Sequence, residues 1–142
     1  MTGDLNAEIE KTLAQCRTVA IVGASPNPER PSHKVANFLK GLGFRVIPVT
    51  PQADNILGET CYPDLASIPE RVEVVNIFRR SEEVMPIVEQ AIAVGAKAVW
   101  MQEGIINEEA AAKARGAGLM VVMNRCMKKE LQRRLGEKGA PR

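Results

Sequence analysis

The sequence predicts an α/β fold built around a doubly wound sheet of about five parallel strands. Strand-like and helix-like segments alternate along the chain, a pattern typical of parallel sheets. Glycine or proline separates most of these segments, and the first strand-like segment, residues 19–23, leads through a glycine turn into helix-like sequence. Because crossovers between parallel strands are right-handed, we expect helices on both faces of the sheet.

Five segments predict strands because each is short, apolar and bounded by turn residues. They are residues 19–23, 44–49, 73–78, 97–101 and 119–123. A small extra strand is predicted within residues 57–62.

Apolar residues spaced three and four positions apart predict the helices between these strands. They cover residues 5–16, 32–42, 81–94, 108–117 and 127–135, with a helical turn at 65–68. Ser32, Ser81 and Asn107 are the predicted N-caps, because each precedes an apolar helical pattern. Residues 136–142 are expected to form a loose tail. Together these elements predict a Rossmann-like sheet.

Length, composition and charge narrow the class of protein. At 142 residues, the chain is expected to form one domain over 1–142. A net charge of +2 argues against nucleic-acid binding, and 4% aromatic residues leave few rings to stack on bases. The sequence shows no membrane-spanning apolar run or secretory signal, and its three cysteines lack CxxC spacing, so we expect a cytoplasmic protein. A single histidine argues against a metal site.

The turn after the first predicted strand carries the main functional signal. Gly23 lets the backbone turn sharply because it has no Cβ, and Ala24 and Ser25 keep the loop thin. A phosphate could then approach backbone N–H groups, with the positive end of the next helix dipole directed at it. A tight turn without a ligand is the alternative interpretation. The preferred one predicts a nucleotide-containing ligand at the carboxyl ends of the strands.

The residues after the first two strands argue against a dinucleotide dehydrogenase. Such enzymes carry G-x-G-x-x-G after strand one and an acidic residue at the end of strand two. Here Gly23 is followed by a proline-rich loop that includes Pro26, and strand two ends at Thr50 and Pro51 without a carboxylate. A Walker A lysine is also absent, which argues against P-loop hydrolysis.

Motifs that follow the predicted strands resemble those of a known family. The matching segments are Gly23-Ala-Ser-Pro-Asn-Pro28 with Arg30-Pro-Ser32, Val46-Ile-Pro-Val-Thr-Pro51, Val75-Asn-Ile-Phe-Arg79, Trp100-Met-Gln-Glu-Gly-Ile105 and Met123-Asn-Arg-Cys126. In this order they resemble the small stand-alone CoA-binding proteins, whose domain is similar to the amino-terminal CoA-binding domain of the succinyl-CoA synthetase α subunit. The resemblance covers roughly the whole chain.

The resemblance implies a set of CoA-binding residues. Those after strand one would surround the diphosphate, those after strands two and three would line the adenosine and phosphate side, and those after strand four would lie under the pantetheine arm. The cations available to the ligand are Arg30, Lys34 and Arg79. The complete set is Gly23, Ala24, Ser25, Pro26, Arg30, Lys34, Thr50, Pro51, Phe78, Arg79, Gln102, Glu103 and Gly104.

Three positions depart from the pattern of these families. Asn76 and Asn124 stand where the small proteins more often have aspartate. Ala53 stands where the synthetase has a lysine. Other groups must then neutralise part of the ligand's negative charge.

Three functional hypotheses follow. The first is a protein that binds CoA or acyl-CoA without catalysis of its own, because acid–base groups are few and Cys126 is expected to be buried. The second is an NAD(P)-binding oxidoreductase or redox-sensing regulator on the same fold. The third is a nucleotide-binding subunit of a partner acyl-CoA ligase. The oligomeric state, as a homo-oligomer or with a partner protein, stays open.

Overall fold

The computed structural model describes residues 5–137. Within that range the strands are β1 Thr18–Val22, β2 Arg45–Val49, β3 Asn55–Ile56, β4 Glu59–Thr60, β5 Val74–Ile77, β6 Ala98–Met101 and β7 Met120–Met123. Five of them form a parallel sheet in the order β2-β1-β5-β6-β7, and β3 and β4 form a separate antiparallel hairpin. The five-stranded parallel sheet predicted from the sequence is confirmed.

Helices cover both faces of this sheet. They are α1 Leu5–Gln15, α2 Pro31–Gly41, α3 Val84–Ala93, α4 Glu108–Gly116 and α5 Met127–Glu137, with 3-10 turns at Leu65–Ser67 and Ser81–Glu83. One face packs against α1, α2 and α5, and the other against α3 and α4. The fold is therefore a Rossmann-like, doubly wound α/β fold, as predicted.

Alternation along each strand explains why the sheet is covered twice. In β1, Val19 and Ile21 pack into the cluster on the α1, α2 and α5 side, whereas Ala20 and Val22 pack into the cluster on the α3 and α4 side. Successive strand residues point to opposite faces, so a strand that is apolar throughout needs a layer of helices on each side.

The strand order places a crevice above β1. The strand order reverses between β1 and β5, because β2 lies on one side of β1 and β5 on the other. Val22 is in register with both Val49 and Ile77, so these three strands end at the same level. The loops after β1 and β5 lead to helices on opposite faces, which opens a crevice at the carboxyl edge.

Two of the three predicted N-caps are wrong. The N-cap of α2 is Arg30 rather than Ser32, because Pro31 needs no N–H and occupies the first helical position, so the cap lies two residues earlier. Ser81 begins a 3-10 turn, and Glu83 is the N-cap of α3. Asn107 is confirmed, since its side chain accepts the Ala110 N–H at 2.9 Å.

The small extra strand predicted within 57–62 is confirmed as β4, which forms the second half of the β3–β4 hairpin. Glu59 anchors this hairpin through ion pairs with Lys40 and Arg45, at 3.0 and 2.5 Å, and the hydrogen bond from Lys40 lowers the pKa of Glu59. The last helix continues to Glu137, past the predicted start of the tail at 136. The rest of that tail, residues 138–142, lies outside the described residues.

Between residues 5 and 137, no helix has both the length and the apolar character needed to cross a membrane.

Candidate functional site

Two adjoining cavities, each of about 490 Å³, occupy the carboxyl edge of the sheet. The first, here called the Ser25 cavity, is lined by Gly23, Ala24, Ser25, Asn27, Arg30, Thr50, Pro51, Gln52, Phe78 and Arg79. The second, the Gln102 cavity, is lined by Gly23, Arg30, Pro31, Ser32, Phe78, Arg79, Arg80, Ser81, Glu82, Gln102, Glu103, Gly104 and Ile105. Eleven of the thirteen predicted site residues therefore line one cavity or both.

The remaining two predicted residues lie apart from these cavities. Pro26 and Lys34 are exposed and line neither of them. Lys34 is in the first turn of α2, and no carboxylate pairs with it in the described part of the chain. Pro26 and Lys34 therefore stay predictions that lie outside the lining of both cavities.

Gly23 brings the loop after β1 directly against the loop after β5. Its φ is +89°, in the left-handed region that favours glycine. A Cβ at this position would lie 2.5 Å from the carbonyl oxygen of Phe78 and 2.9 Å from Cδ of Arg79. Only a residue without a side chain fits here, so the two cavity loops can touch.

The backbone amides of this loop are only partly available to a ligand. The N–H groups of Gly23 and Ala24 both donate to the carbonyl oxygen of Val49, at 3.0 and 3.3 Å. Within residues 5–137, the amides of Ser25 and Ser32 have no hydrogen-bond acceptor. An anion at this loop would thus meet the Ser25 amide and the N-terminus of α2, rather than three consecutive loop amides.

Arg30 is a cation without a carboxylate partner among the described residues, and it lines both cavities. It is the N-cap of α2, so its charge adds to the positive end of that helix dipole. This end of α2 therefore places a helix terminus and an unpaired guanidinium beside the same space.

Arg79 is held in place by an acidic neighbour. Its Nε donates to Glu83 at 2.9 Å, while in residues 5–137 its two Nη groups have no acceptor. Hydrogen bonds from Arg80 and Arg79 lower the pKa of Glu83 to about 2, so Glu83 stays ionised at neutral pH. The free face of the Arg79 guanidinium remains available for a bidentate contact with an anion.

Gln102 lines the second cavity and carries a buried amide oxygen without a partner among the described residues. Its side chain is 6% exposed, and its Oε1 has no donor in the part of the chain that the structure describes. Glu103, by contrast, pairs with Lys129 at 2.9 Å. A buried amide oxygen without a partner is costly, and it is the group here that a ligand N–H could satisfy.

Asn124 fixes the loop that carries Gln102. It adopts a left-handed φ of +61°, and its Oδ1 accepts the Gly104 N–H at 2.7 Å. From the sequence, Asn124 belongs to the Met123-Asn-Arg-Cys126 motif and departs from the aspartate of the small proteins, but its bond to Gly104 is not predicted. The available signal is a short amide side chain directly after β7.

Sequence reasoning also missed several lining residues. These are Asn27, Gln52, Arg80, Ser81, Glu82 and Ile105. Each lies one to three positions beyond a residue predicted from the strand ends, because the loops continue along the crevice after they leave the sheet.

The described residues show neither a metal site nor a cysteine at the two cavities. No group of three His, Cys, Asp or Glu residues within 5–137 is arranged to hold a metal ion. Cys126 is buried, as expected, and burial raises the pKa of the Cys16 and Cys61 thiols. None of the three cysteines lines either cavity.

Comparison with known proteins identifies the family of this chain. Residues 17–132 match the CoA binding domain family. YneT of Bacillus subtilis is 35% identical over 128 residues, which cover 90% of this chain and 95% of that protein. The solved structure of a hypothetical protein from Pyrococcus horikoshii OT3 is 44% identical, with a TM-score of 0.89 and 94% of both chains covered.

A larger protein shares part of this sequence. The ADP-forming acetate–CoA ligase II of Archaeoglobus fulgidus is 30% identical over 95 residues, which make up 66% of this chain and 14% of the ligase. The chain thus spans a small fraction of that ligase. The family match over most of the chain confirms the resemblance drawn from the motifs: the chain belongs to the CoA-binding-domain family and is related to a region of ADP-forming acetate–CoA ligases.

Proposed function

We propose that this protein binds CoA or an acyl-CoA at the carboxyl edge of its sheet, without catalysing a reaction on it. The observation that carries the proposal is the convergence of unpaired groups on two adjoining cavities. These groups are the Arg30 guanidinium, the Nη atoms of Arg79, the amides of Ser25 and Ser32, and Oε1 of Gln102.

Electrostatics favour the phosphate groups of CoA at Arg30 and Arg79. CoA carries a diphosphate and a 3′-phosphate, and hydrogen bonds to charged groups are worth about 1.5–3 kcal/mol each. Arg30 has no competing carboxylate within the described residues, and Glu83 engages only Nε of Arg79. Binding an anion here breaks no existing ion pair, so little of the attraction is lost to rearrangement.

The pantetheine arm matches the Gln102 cavity. The arm is uncharged and contains two amide groups, whose N–H groups can donate to a carbonyl oxygen. The unpartnered Oε1 of Gln102 is such an acceptor, and satisfying it would remove a penalty of about 1–3 kcal/mol. Ile105 adds apolar surface to the same cavity.

The acidic groups around the cavities support binding rather than catalysis. Glu103 is paired with Lys129, and Glu82 lies 3.8 Å from Arg80. His33, the one histidine of the chain, lines neither cavity. General-base catalysis needs an unengaged proton acceptor within reach of the substrate, and these two carboxylates are paired with cations.

Isothermal titration with CoA tests the proposal. Wild type is expected to bind one CoA per chain, and Arg30→Ala is expected to weaken binding by about tenfold or more, since it removes a charge-assisted contact. Lys34→Ala is the matched control, because Lys34 is also an unpaired cation on α2 but lies outside both cavities. Wild type that gives no heat and no competition at millimolar CoA would overturn the proposal.

A second candidate is a subunit that supplies the CoA-binding part of a ligase to a partner chain. The alignment with part of an acetate–CoA ligase favours it. Purification from the source cell at native expression should then return a stoichiometric partner whose ligase activity depends on this chain. Recovery of the chain alone counts against this candidate.

A cytoplasmic location belongs to the same proposal. Its support is chemical: Cys16, Cys61 and Cys126 are all free thiols, as expected in a reducing compartment. Cell fractionation tests it, and recovery of the protein outside the cytoplasm would contradict it.

A further inference from the structure

Two surface patches on opposite faces of the sheet carry opposite charge, and neither belongs to the site described above. The first, here called the Phe38 patch, consists of Lys34, Phe38 and Lys128 on α2 and α5. The second, the Ile106 patch, consists of Ile106, Glu108 and Glu109 at the start of α4. None of these residues lines the Ser25 cavity or the Gln102 cavity.

The Phe38 patch presents an aromatic ring beside two cations that the chain itself does not neutralise. Lys34 and Phe38 are four residues apart, so their side chains share one face of α2. Lys128 reaches over from α5, with its Nζ 5.7 Å from the centre of the Phe38 ring. Within residues 5–137, neither lysine has a carboxylate partner. Phe38 is half-buried, so part of its ring remains accessible.

Helix electrostatics give the two lysines no stabilising role within the chain. Lys34 lies in the first turn of α2, where the positive end of the helix dipole disfavours a cation. Arg30 precedes it by four residues, and like charges at this spacing repel each other. Lys128 likewise lies in the first turn of α5. Two cations thus occupy positions that the fold alone disfavours, which indicates an anionic partner outside the chain.

The Ile106 patch has the complementary character. Ile106 is 47% exposed and is one of two exposed large apolar residues in the described chain, the other being Leu42. Its backbone is fixed, because its N–H donates to Oγ of Ser81 at 3.0 Å. Glu108 and Glu109 follow it in the first turn of α4, and among residues 5–137 no cation pairs with either. A rigidly held apolar side chain therefore faces solvent beside two unpaired carboxylates.

We propose that the Phe38 patch binds the Ile106 patch of a second copy of this chain. Ile106 would pack against the Phe38 ring. The carboxylates of Glu108 and Glu109 would then face the two lysines of the other copy. Because each copy carries both patches, the contact can form twice about a two-fold axis and close a dimer. A net charge of +2 leaves little overall repulsion between the copies.

The small size of the two patches determines how strong this association should be. Interfaces of limited area are typical of weak, transient complexes. We therefore expect a dissociation constant of about 10–100 µM at low salt. Association should weaken in about 1 M salt, because salt screens charges that lie at the surface.

Charge reversal of each patch tests the pairing. Sedimentation velocity at increasing protein concentration should show a monomer–dimer equilibrium for wild type. Lys34→Glu combined with Lys128→Glu should weaken dimerisation by about tenfold or more, because like charges then face each other. Glu108→Lys combined with Glu109→Lys should weaken it to a similar extent.

A matched control keeps the change in net charge and moves it outside both patches. Lys11→Glu combined with Arg71→Glu changes the net charge as much as the double lysine variant does, at two exposed cations. This control should dimerise as wild type does. A control that loses dimerisation to the same extent as the double lysine variant would overturn the proposal, because net charge alone would then explain the loss.

An equimolar mixture of the two reversed variants gives the most specific result. Each variant alone should stay monomeric at concentrations where wild type dimerises. The mixture should regain dimers, because the reversed Phe38 patch of one variant then faces the reversed Ile106 patch of the other. A general loss of folding stability would not produce this recovery.

The proposal is overturned by wild type that remains monomeric up to millimolar concentration, by reversed variants that dimerise as wild type does, or by folded variants whose mixture stays monomeric. Thermal melting establishes whether the variants are folded. If one of them is not, wild type decides alone: NMR shifts that depend on protein concentration should be largest at the Phe38 ring and the Ile106 methyl groups. Shifts confined to other residues would overturn the proposal.

Discussion

The amino and carboxyl edges of the sheet use their charged groups in opposite ways. At the amino edge, Glu73 accepts the N–H groups of Arg17 and Thr18, at 2.7 and 3.1 Å, and pairs with Lys97 at 3.3 Å. At the carboxyl edge, the Arg30 guanidinium and the Ser25 backbone N–H have no protein partner among residues 5–137. Polar groups at the first edge stabilise the fold, whereas those at the second remain available to a ligand.

Cavity size alone does not distinguish the two edges. A cavity of about 440 Å³ also lies at the amino edge, where Lys11 and Lys97 line it. Lys97, however, is already paired with Glu73. Lys11 has no carboxylate partner among residues 5–137, so one free cation does not mark a site either. What distinguishes the carboxyl edge is that several unpaired groups meet there: the Arg30 guanidinium, the Ser25 amide and Oε1 of Gln102.

The largest effect is expected at Gly23. Gly23→Ala should destabilise the protein by about 3 kcal/mol, because the new Cβ meets the Phe78 carbonyl oxygen at 2.5 Å in a backbone conformation unfavourable to alanine. CoA binding should weaken as the two cavity loops separate. Urea unfolding and calorimetry measure the two effects.

Gly43→Ala is the control for that variant. Gly43 has a similar φ of +95°, but it lies at the amino edge and a Cβ there would have no neighbour within 4 Å. We expect a loss of about 1 kcal/mol from the backbone conformation alone, with CoA binding unchanged. Equal losses in the two variants would show that the contact between the cavity loops contributes nothing.

The next largest effect is expected for Glu73→Ala at the amino edge, where a loss of folding stability should leave CoA binding unchanged. Glu73→Ala should cost about 2 kcal/mol, because two backbone N–H groups lose a charged acceptor. Its affinity for CoA should equal that of wild type. Glu89→Ala is the surface control: the exposed pair of Glu89 with Lys113 should contribute less than about 1 kcal/mol. A loss of CoA affinity in Glu73→Ala would break the division between the edges.

The smallest effect is the pH dependence of the contribution that Glu73 makes to the free energy of unfolding. Hydrogen bonds from the Arg17 and Thr18 amides lower the pKa of Glu73 below its ordinary value. A carboxyl group of this kind stabilises the fold fully above its unfolded-state pKa, and the contribution is lost as the pH falls through its folded-state pKa. The stability difference between wild type and Glu73→Ala should therefore stay constant above about pH 6 and shrink as the pH falls below the ordinary glutamate pKa of 4.5. A difference that stays constant between about pH 6 and about pH 3, measured by urea unfolding, would contradict this account.

Much of the fold followed from local pattern. Apolar strands separated by helical periodicity predict the parallel sheet, and residues just after a strand must lie at its carboxyl edge. This is why Ser25, Arg79 and Gln102 could be assigned to one site from the sequence. The predicted caps Ser32 and Ser81 failed because a proline at helix position one and an intervening 3-10 turn changed where the helices begin.

The pairing of groups within the site could not be read from the sequence. Nothing local indicates that the Val49 carbonyl occupies the amides of Gly23 and Ala24, because that contact joins two loops. The hydrogen bonds from Arg79 to Glu83 and from Gly104 to Asn124 also depend on how closely neighbouring loops approach each other. Tertiary packing, rather than residue type, determines which polar groups remain free.

Amide chemical-shift mapping during a CoA titration tests the central claim most directly. The account predicts that the amides of Ser25, Ser32 and Gly104 shift as CoA saturates the protein, while those of Arg17 and Thr18 stay in place. Shifts confined to the amino edge, or unchanged spectra at millimolar CoA, would contradict it.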